Sequence, residues 1–377
     1  MNKLLTYPDI NPQQWQELIE TSATATWFQT PEAYEFYASN PEEMTPFAFG
    51  VVEDDCKVES VKFKGEENGK ADTPASTLYT LHPTQNEAST PYTLHHTPAL
   101  KGVIVGYITR ERNALKQFFT SRAIIIGGPL LDERISSDAL SALLVAVKQV
   151  TKGAIYVETR NFNDYSIWRE VFEPCGFQYQ PHLNFHVDTS SVEMVDKNLG
   201  KSRKRDIRTT IREGVTPVMQ PTIEQVREYY QILHTLYTTK VKTPLFSWHF
   251  FEQLYQTPHA RFILTEYQGR IIGGTVCVEL HSRALYEWFA CGEDGVYDHI
   301  YPSCYATYLG IKYSAESGCK IFDMMGAGKP DEAYGVRDFK AEFGGELVKH
   351  GRFLCVRKPL LYWIGKMGVK WLKRSKR

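Results

Sequence analysis

The chain has 377 residues, of which 42% are hydrophobic, 13% aromatic and 23% charged, with a formal net charge of −1. That length suits two domains, each with its own core, and the near-neutral charge argues against wholesale nucleic-acid binding. No apolar run approaches the roughly eighteen residues of a membrane span, the opening MNKLLTYPDINPQQWQEL lacks a signal core, and seven scattered cysteines suit reduced cytoplasmic thiols.

The same order of elements is expected twice. In the first copy Thr30 caps a helix that opens at Pro31. Strands follow at 48–52 and 102–108, and Ala123-Ile124-Ile125-Ile126 is a short apolar run ending in Gly127-Gly128-Pro129. Between the first two strands lies 54–99, rich in Gly, Pro, Ser, Thr and Glu, which reads as a polar surface insertion in a hairpin. Its His82, His95 and His96 read as solvated side chains rather than metal ligands. Leu140, Leu143, Leu144 and Val147 stand at helical spacing within 136–150. A strand at 154–158, a helix at 165–171 and a strand at 176–179 close this copy.

The junction 196–214, DKNLGKSRKRDIRTTIREG, is basic. Ser190 and Glu193 suit the cap of its approach helix, and Gly214 suits its stop. Ile207 and Ile211 mark an inner face, while Lys201, Lys204, Arg205, Arg208 and Arg212 spread over the outer ones. Such a stripe is a footprint for phosphate, of a nucleotide-linked molecule or of RNA; a solvated basic helix is the plain alternative.

In the second copy Thr222 and Gln225 form a capping box for a helix over 223–237. Strands at 261–267 and 270–280 flank a Gln268-Gly269 turn, with a further strand at 284–290, a helix at 303–316 and a strand at 319–324. The fold class is therefore α/β (α+β), with mixed sheets covered by helices and domains over 1–190 and 191–377.

The chemistry concentrates near the end. Asp323 closes a buried strand and suits positioning or deprotonating an amine, or equally satisfying turn N–H groups. Gly326 and Gly328 follow as backbone devices. Lys340, between Phe339 and Phe343, is either a dry cation for a developing oxyanion or a surface lysine snorkelling past two core rings. Arg337 suits a phosphate or carboxylate, or an exposed pair with Asp338. Trp288 and Tyr305 are the candidate aromatic contacts to substrate. In 360–377, Leu360, Ile364, Met367 and Trp371 share one face, and Lys366, Lys370, Lys373 and Arg377 another. Such a helix either docks its apolar side on the body or makes peripheral contact with a membrane.

The order from Asp323-x-x-Gly326 to Phe339-Lys340-x-x-Phe343-Gly344, with Lys204-Arg205-Asp206-Ile207-Arg208 and Gly214-Val215 upstream, resembles the FemABX family of aminoacyltransferases. The resemblance implies two tandem GNAT-like domains and transfer of an aminoacyl or acyl group to an amine of a peptidoglycan precursor. It implies no cofactor, aminoacyl-tRNA as co-substrate and a nucleotide- or lipid-linked muropeptide as acceptor. It further implies that Lys340 stabilises the oxyanion and that Arg205 and Arg208 hold acceptor phosphate. Two departures stand out. The run 215–261 is too short for the coiled arm of some members, and TWFQTPEAYEFYA offers no lysine to partner the arginines. The nearest string to an acetyl-CoA pyrophosphate loop, Arg270–Thr275, falls inside a hairpin strand, so acyl-CoA is the alternative donor. A non-catalytic module that grips a nucleotide-sugar or RNA is the third reading.

Overall fold

A computed structural model describes residues 2–56, 96–111 and 113–374. The first half runs through Lys3–Thr6 (β1), Pro12–Thr21 (α1), Pro31–Ala38 (α2), Met44–Cys56 (β2), His96–Thr109 (β3), Ala114–Thr120 (α3), Ala123–Gly127 (β4), Leu130–Leu131 (β5), Ser137–Val150 (α4), Tyr156–Asn161 (β6), Arg169–Phe172 (α5) and Gln178–Gln180 (β7). Asn184–Asp188 (β8), Val192–Asn198 (α6) and Lys201–Arg212 (α7) lead onward. The second half comprises Thr216–Val218 (β9), Ile223–Leu236 (α8), Trp248–Gln256 (α9), Ala260–Tyr267 (β10), Arg270–Leu280 (β11), Ala284–Gly292 (β12), Pro302–Glu316 (α10), Ile321–Asp323 (β13), Gly335–Ala341 (α11) and Glu346–Val348 (β14). Arg352–Val356 (β15) and Pro359–Arg374 (α12) follow.

Local chemistry sets most of these boundaries. Thr30 accepts the Ala33 N–H at 3.2 Å, and Ser136 accepts that of Ala139 at 3.1 Å. Thr222 and Gln225 form the reciprocal box at 3.4 and 2.9 Å. The cap of α6 is Ser191, which accepts from Met194, and not Ser190, whose N–H is turned to Asp188. The basic junction is two helices rather than one. It breaks at Gly200, whose N–H reaches the Glu342 carbonyl at 2.9 Å and where a Cβ would collide with that same carbonyl. On α7 Ile207 is buried, but Ile211 faces outward. The polar insertion begins and ends as a continuation of the β2–β3 hairpin, and most of it, including His82 and His95, lies outside the described residues.

The two halves repeat one topology. Each has an antiparallel run feeding a parallel crossover: β4–α4–β6 pairs Ala123 with Val157, and β12–α10–β13 pairs Ala284 with Ile321. The first, eight-stranded sheet has the order β1-β2-β3-β4-β6-β15-β7, with β5 paired to β3. The second, seven-stranded sheet is ordered β14-β8-β13-β12-β11-β10-β9. Pairing therefore crosses the expected boundary at residue 190 in both directions. β8, which precedes it, lies beside β13, and β15, near the end of the described chain, lies beside β6. Each sheet receives the borrowed strand at the same place, between its crossover strand and its outermost strand.

Aromatic packing joins the halves as well. Phe28 of the first half meets Trp288 edge-on at 5.0 Å, Phe36 meets Phe250 at 5.0 Å, and Phe162 stacks on Tyr286 at 5.5 Å. These rings belong to one buried cluster that runs through both halves. On the borrowed strand, Phe353 is buried and stacks on Phe172 at 4.0 Å. Phe353→Ala is expected to lower stability by about 3–5 kcal/mol, read by urea denaturation as one cooperative transition for both sheets.

Candidate functional site

A cleft of about 980 Å³ opens between the halves, at the large end of small-molecule sites. The sequence places it where α/β folds gather ligands, beyond the carboxyl ends of parallel strands. Arg160, Asn161 and Phe162 line it from the end of β6, and Met325 and Gly326 from the turn after β13. Trp288, Phe289, Tyr237 and Phe246 add an aromatic wall. A π-helical turn at Tyr237–Val241 and a left-handed Lys242 launch the lining segment 242–247. Ser247 fastens that segment to the first half, donating through its N–H and Oγ to Glu43 at 2.9 and 3.0 Å.

Strand pairing builds the floor. Arg160 on β6 stands directly across from Arg352 on β15, and both reach Glu158 two residues back on β6. Arg160 Nε donates to one Glu158 carboxylate oxygen and Arg352 Nη1 to the other, each at 3.0 Å. Arg352 Nη2 donates to His182 Nε2 at 2.9 Å. Burial alone would raise the pKa of Glu158, but Arg352 and Arg160 outweigh it and hold the carboxyl at about 2. Burial, reinforced by Arg352, lowers that of His182 to about 4, so the imidazole is neutral at pH 7 and accepts through Nε2. Arg110 and Arg122 add further positive charge to the lining, and Arg122 Nε is buried with no hydrogen-bond partner among the described residues. Glu42, Glu43 and Glu111 bring carboxylates to the same lining. Guanidinium groups in such a floor fit a carboxylate or phosphate bound in two-pronged fashion.

Trp288 and Gly326 are the two predicted residues that line this cleft. Asp323 and Lys340 lie behind the Met324–Gly326 turn. Asp323 is buried, accepts from Asn184 Nδ2 and the Met325 N–H at 2.7 Å each, and pairs with His186 at 3.1 Å. Lys340 Nζ donates to the Met324 carbonyl and, at 2.9 Å, to that of Gly326. Burial lowers the pKa of Lys340, while the charges of Glu287 and Asp323 pull it back up. The lysine is thus neither snorkelling nor in open solvent; it braces the turn whose outer side faces the cleft.

The remaining predicted residues lie elsewhere. The Arg337 guanidinium donates to the carbonyls of Ala327, Lys329, Pro330 and Glu332, pinning the loop that follows Gly326. Gly328, in the left-handed region, sits beneath the Tyr334 ring in that loop. Tyr305 is packed in the core of the second half. Arg205 and Arg208 point outward from α7, with Arg205 paired to Asp206 at 3.2 Å. Their neighbour Arg203 turns inward, over the Phe339 ring at 4.8 Å. The sequence reading missed Glu158, Arg160, His182 and Arg352. A Glu-x-Arg pair on the half-buried face of a strand whose other face is buried was the available signal, since charged residues rarely enter such strands unpaired.

No protein-family model matches the chain, and no curated protein matches it in sequence. Solved structures do match in shape. FemX superimposes over 96% of this chain and 99% of its own, with a TM-score of 0.63 and 12% identity. A tandem GNAT protein from the clavulanic acid biosynthesis pathway covers 95% and 99%, at a TM-score of 0.52 and 8% identity. The fold is a tandem GNAT fold. In that frame the cleft lies between the two GNAT-like units, and Glu158, Arg160 and Arg352 form a floor built by both.

Glu158→Gln is expected to cost about 2 kcal/mol at pH 7, because two partly buried guanidinium groups lose their counter-charge. The sign follows from the depressed folded pKa of Glu158: its contribution is complete above the ordinary carboxylate range and is lost as pH falls towards about 2. Denaturant titrations of both proteins should show a wide gap in stability at neutral pH that narrows below about pH 4.

Proposed function

We propose that this protein is an acyltransferase, of FemX-like design, that moves an aminoacyl or acyl group onto the amine of an anionic acceptor held in the inter-domain cleft. The observation that carries the reading is a cleft with an arginine floor and an aromatic wall, formed by both units of a tandem GNAT fold. An acceptor phosphate or carboxylate would sit on Arg160, Arg122 and Arg352, with its apolar or planar part against Trp288. The acceptor amine attacks the acyl carbonyl, the carbonyl oxygen takes up negative charge, and the bond to the leaving oxygen or sulfur then breaks. The amine proton passes to that leaving group as the amide forms.

In this scheme Lys340 is a positioning residue. It fixes the Met324–Gly326 turn and sets a positive charge behind it, where the oxyanion gathers. Asp323 holds the other side of the same turn through the Met325 N–H. Arg205 and Arg208, exposed on α7, would steer phosphate of the donor or acceptor from outside the cleft.

An aminoacyl ester on tRNA is favoured over acyl-CoA as donor by the start of α10. That helix opens with Pro302, which has no N–H, and the Ser303 N–H is occupied by Asp294 Oδ1 at 3.2 Å. A pyrophosphate approaching this crossover would meet a carboxylate instead of free donors. The peptidoglycan precursor suggested by the sequence remains the leading acceptor class.

Two measurements test the proposal. Label transfer from charged tRNA and from acyl-CoA, onto nucleotide-linked muropeptides and simple amines, should favour the tRNA pool; transfer from acyl-CoA alone would overturn the donor. Lys340→Ala, folded by circular dichroism, should lower kcat about 100-fold with little change in KM, whereas Arg160→Ala should mainly raise KM. Full activity in Lys340→Ala would remove the lysine from the scheme.

A further inference from the structure

A helix that follows the last strand of a domain ordinarily lays its apolar stripe on the body. Helix α12 does the opposite. Tyr362 meets the body, its ring 5.5 Å from that of Tyr156, and Leu361 beside it is also partly covered. Leu360, Trp363, Ile364 and Met367 fall within roughly a 100° arc on the side away from Tyr362. Each is open to solvent, Leu360 at 70% and Trp363 at 59%. The sequence continues this stripe with Trp371.

A second element adds to the same surface. On α3, Leu115 is 70% exposed and Phe118 and Phe119 about half exposed, unusual for three large apolar residues in one short helix. Lys358, at the start of α12, joins the two patches. Its Nζ lies 5.0 Å from the Phe118 ring centre and donates to the Gly153 carbonyl at 2.6 Å. The segment that carries the α12 stripe has charge of one sign. From residue 357 onward the sequence has Arg357, Lys358, Lys366, Lys370, Lys373, Arg374, Lys376 and Arg377, and no Asp or Glu.

We infer that the outward faces of α12 and α3 form a docking surface for an anionic lipid bilayer. Exposed Trp, Phe and Leu beside a basic flank are the two components of interfacial binding: apolar side chains enter the headgroup boundary while the lysines meet lipid phosphate. A second copy of the chain fits less well, because pairing two α12 stripes would bring two acid-free basic segments together. The mode is peripheral, since no helix among the described residues is long and apolar enough to cross a membrane. The surface also borders the cleft: Thr120, the last residue of α3, directly follows Phe119 and lines the opening. A docked molecule would therefore present its cleft towards the lipid surface, within reach of a headgroup-linked substrate.

The test is co-sedimentation of the full chain with vesicles of phosphatidylcholine alone and of phosphatidylcholine mixed with phosphatidylglycerol. Binding to the mixed vesicles is expected, stronger than to the neutral ones and weakened by salt. The double substitution Trp363→Ser/Ile364→Ser should weaken it by about tenfold or more, with Phe118→Ser/Phe119→Ser acting in the same direction. All four side chains are exposed, so the variants should keep the native circular dichroism. The inference is overturned by absence of binding to both vesicle types, or by binding that survives both double substitutions. It is equally overturned by concentration-dependent self-association in analytical ultracentrifugation that the same substitutions abolish, which would assign the surface to a second copy. Vesicle binding involves no turnover, so its result is separable from that of the acyl-transfer assay.

Discussion

Everything about the cleft depends on the reciprocal exchange of β8 and β15. Without β15 beside β6, Arg352 would not stand across from Arg160, and Glu158 would have one guanidinium instead of two. Without β8 beside β13, Asn184 and His186 would not reach Asp323, and the turn at Met324–Gly326 would lose the contacts that shape it. A strand carried from each half into the other thus fixes the two walls relative to each other through backbone hydrogen bonds. The aromatic seam of Phe28, Phe36, Phe162, Tyr286 and Trp288 fills the space that this pairing encloses.

The two carboxylates of this framework serve different masters. Glu158 is bound by two side-chain cations from opposite strands, so its charge is shared and the floor keeps a positive surplus facing the cleft. Asp323 is spent on the backbone of its own turn and on side chains of the borrowed β8. Lys340 closes the arrangement from behind, bound to main-chain oxygens rather than to a carboxylate. A positive charge so placed acts across the thickness of a turn, and an electrostatic field needs no contact to do so.

Features that depend on neighbours in sequence were legible from it. The caps at Thr30 and Ser136, the box at Thr222 and Gln225, and the Gln268-Gly269 hairpin turn each require only a few consecutive residues. Helix α1 escaped, although Asn11 before Pro12 is a capping signal of the same kind. The cleft floor was not legible, because Glu158, His182 and Arg352 meet through a strand pairing that spans nearly two hundred positions. The placement of Arg337 and Lys340 escaped for another reason: their partners are carbonyl oxygens, which every residue carries and no sequence distinguishes. The stripe on α12 was visible from spacing, but which side faced the body depended on Tyr156, in a distant strand.

The exchange of strands also bears on how the chain is made. During synthesis the first sheet can form β1 to β6 early, yet β7 has no strand to pair with until residues 352–356 leave the ribosome. Until then β6 presents an open edge carrying a buried-type carboxylate and an arginine without their final partner. The amino-terminal unit is therefore not a finished product when its own segment is complete, and its sheet closes only after the second sheet has all of its strands.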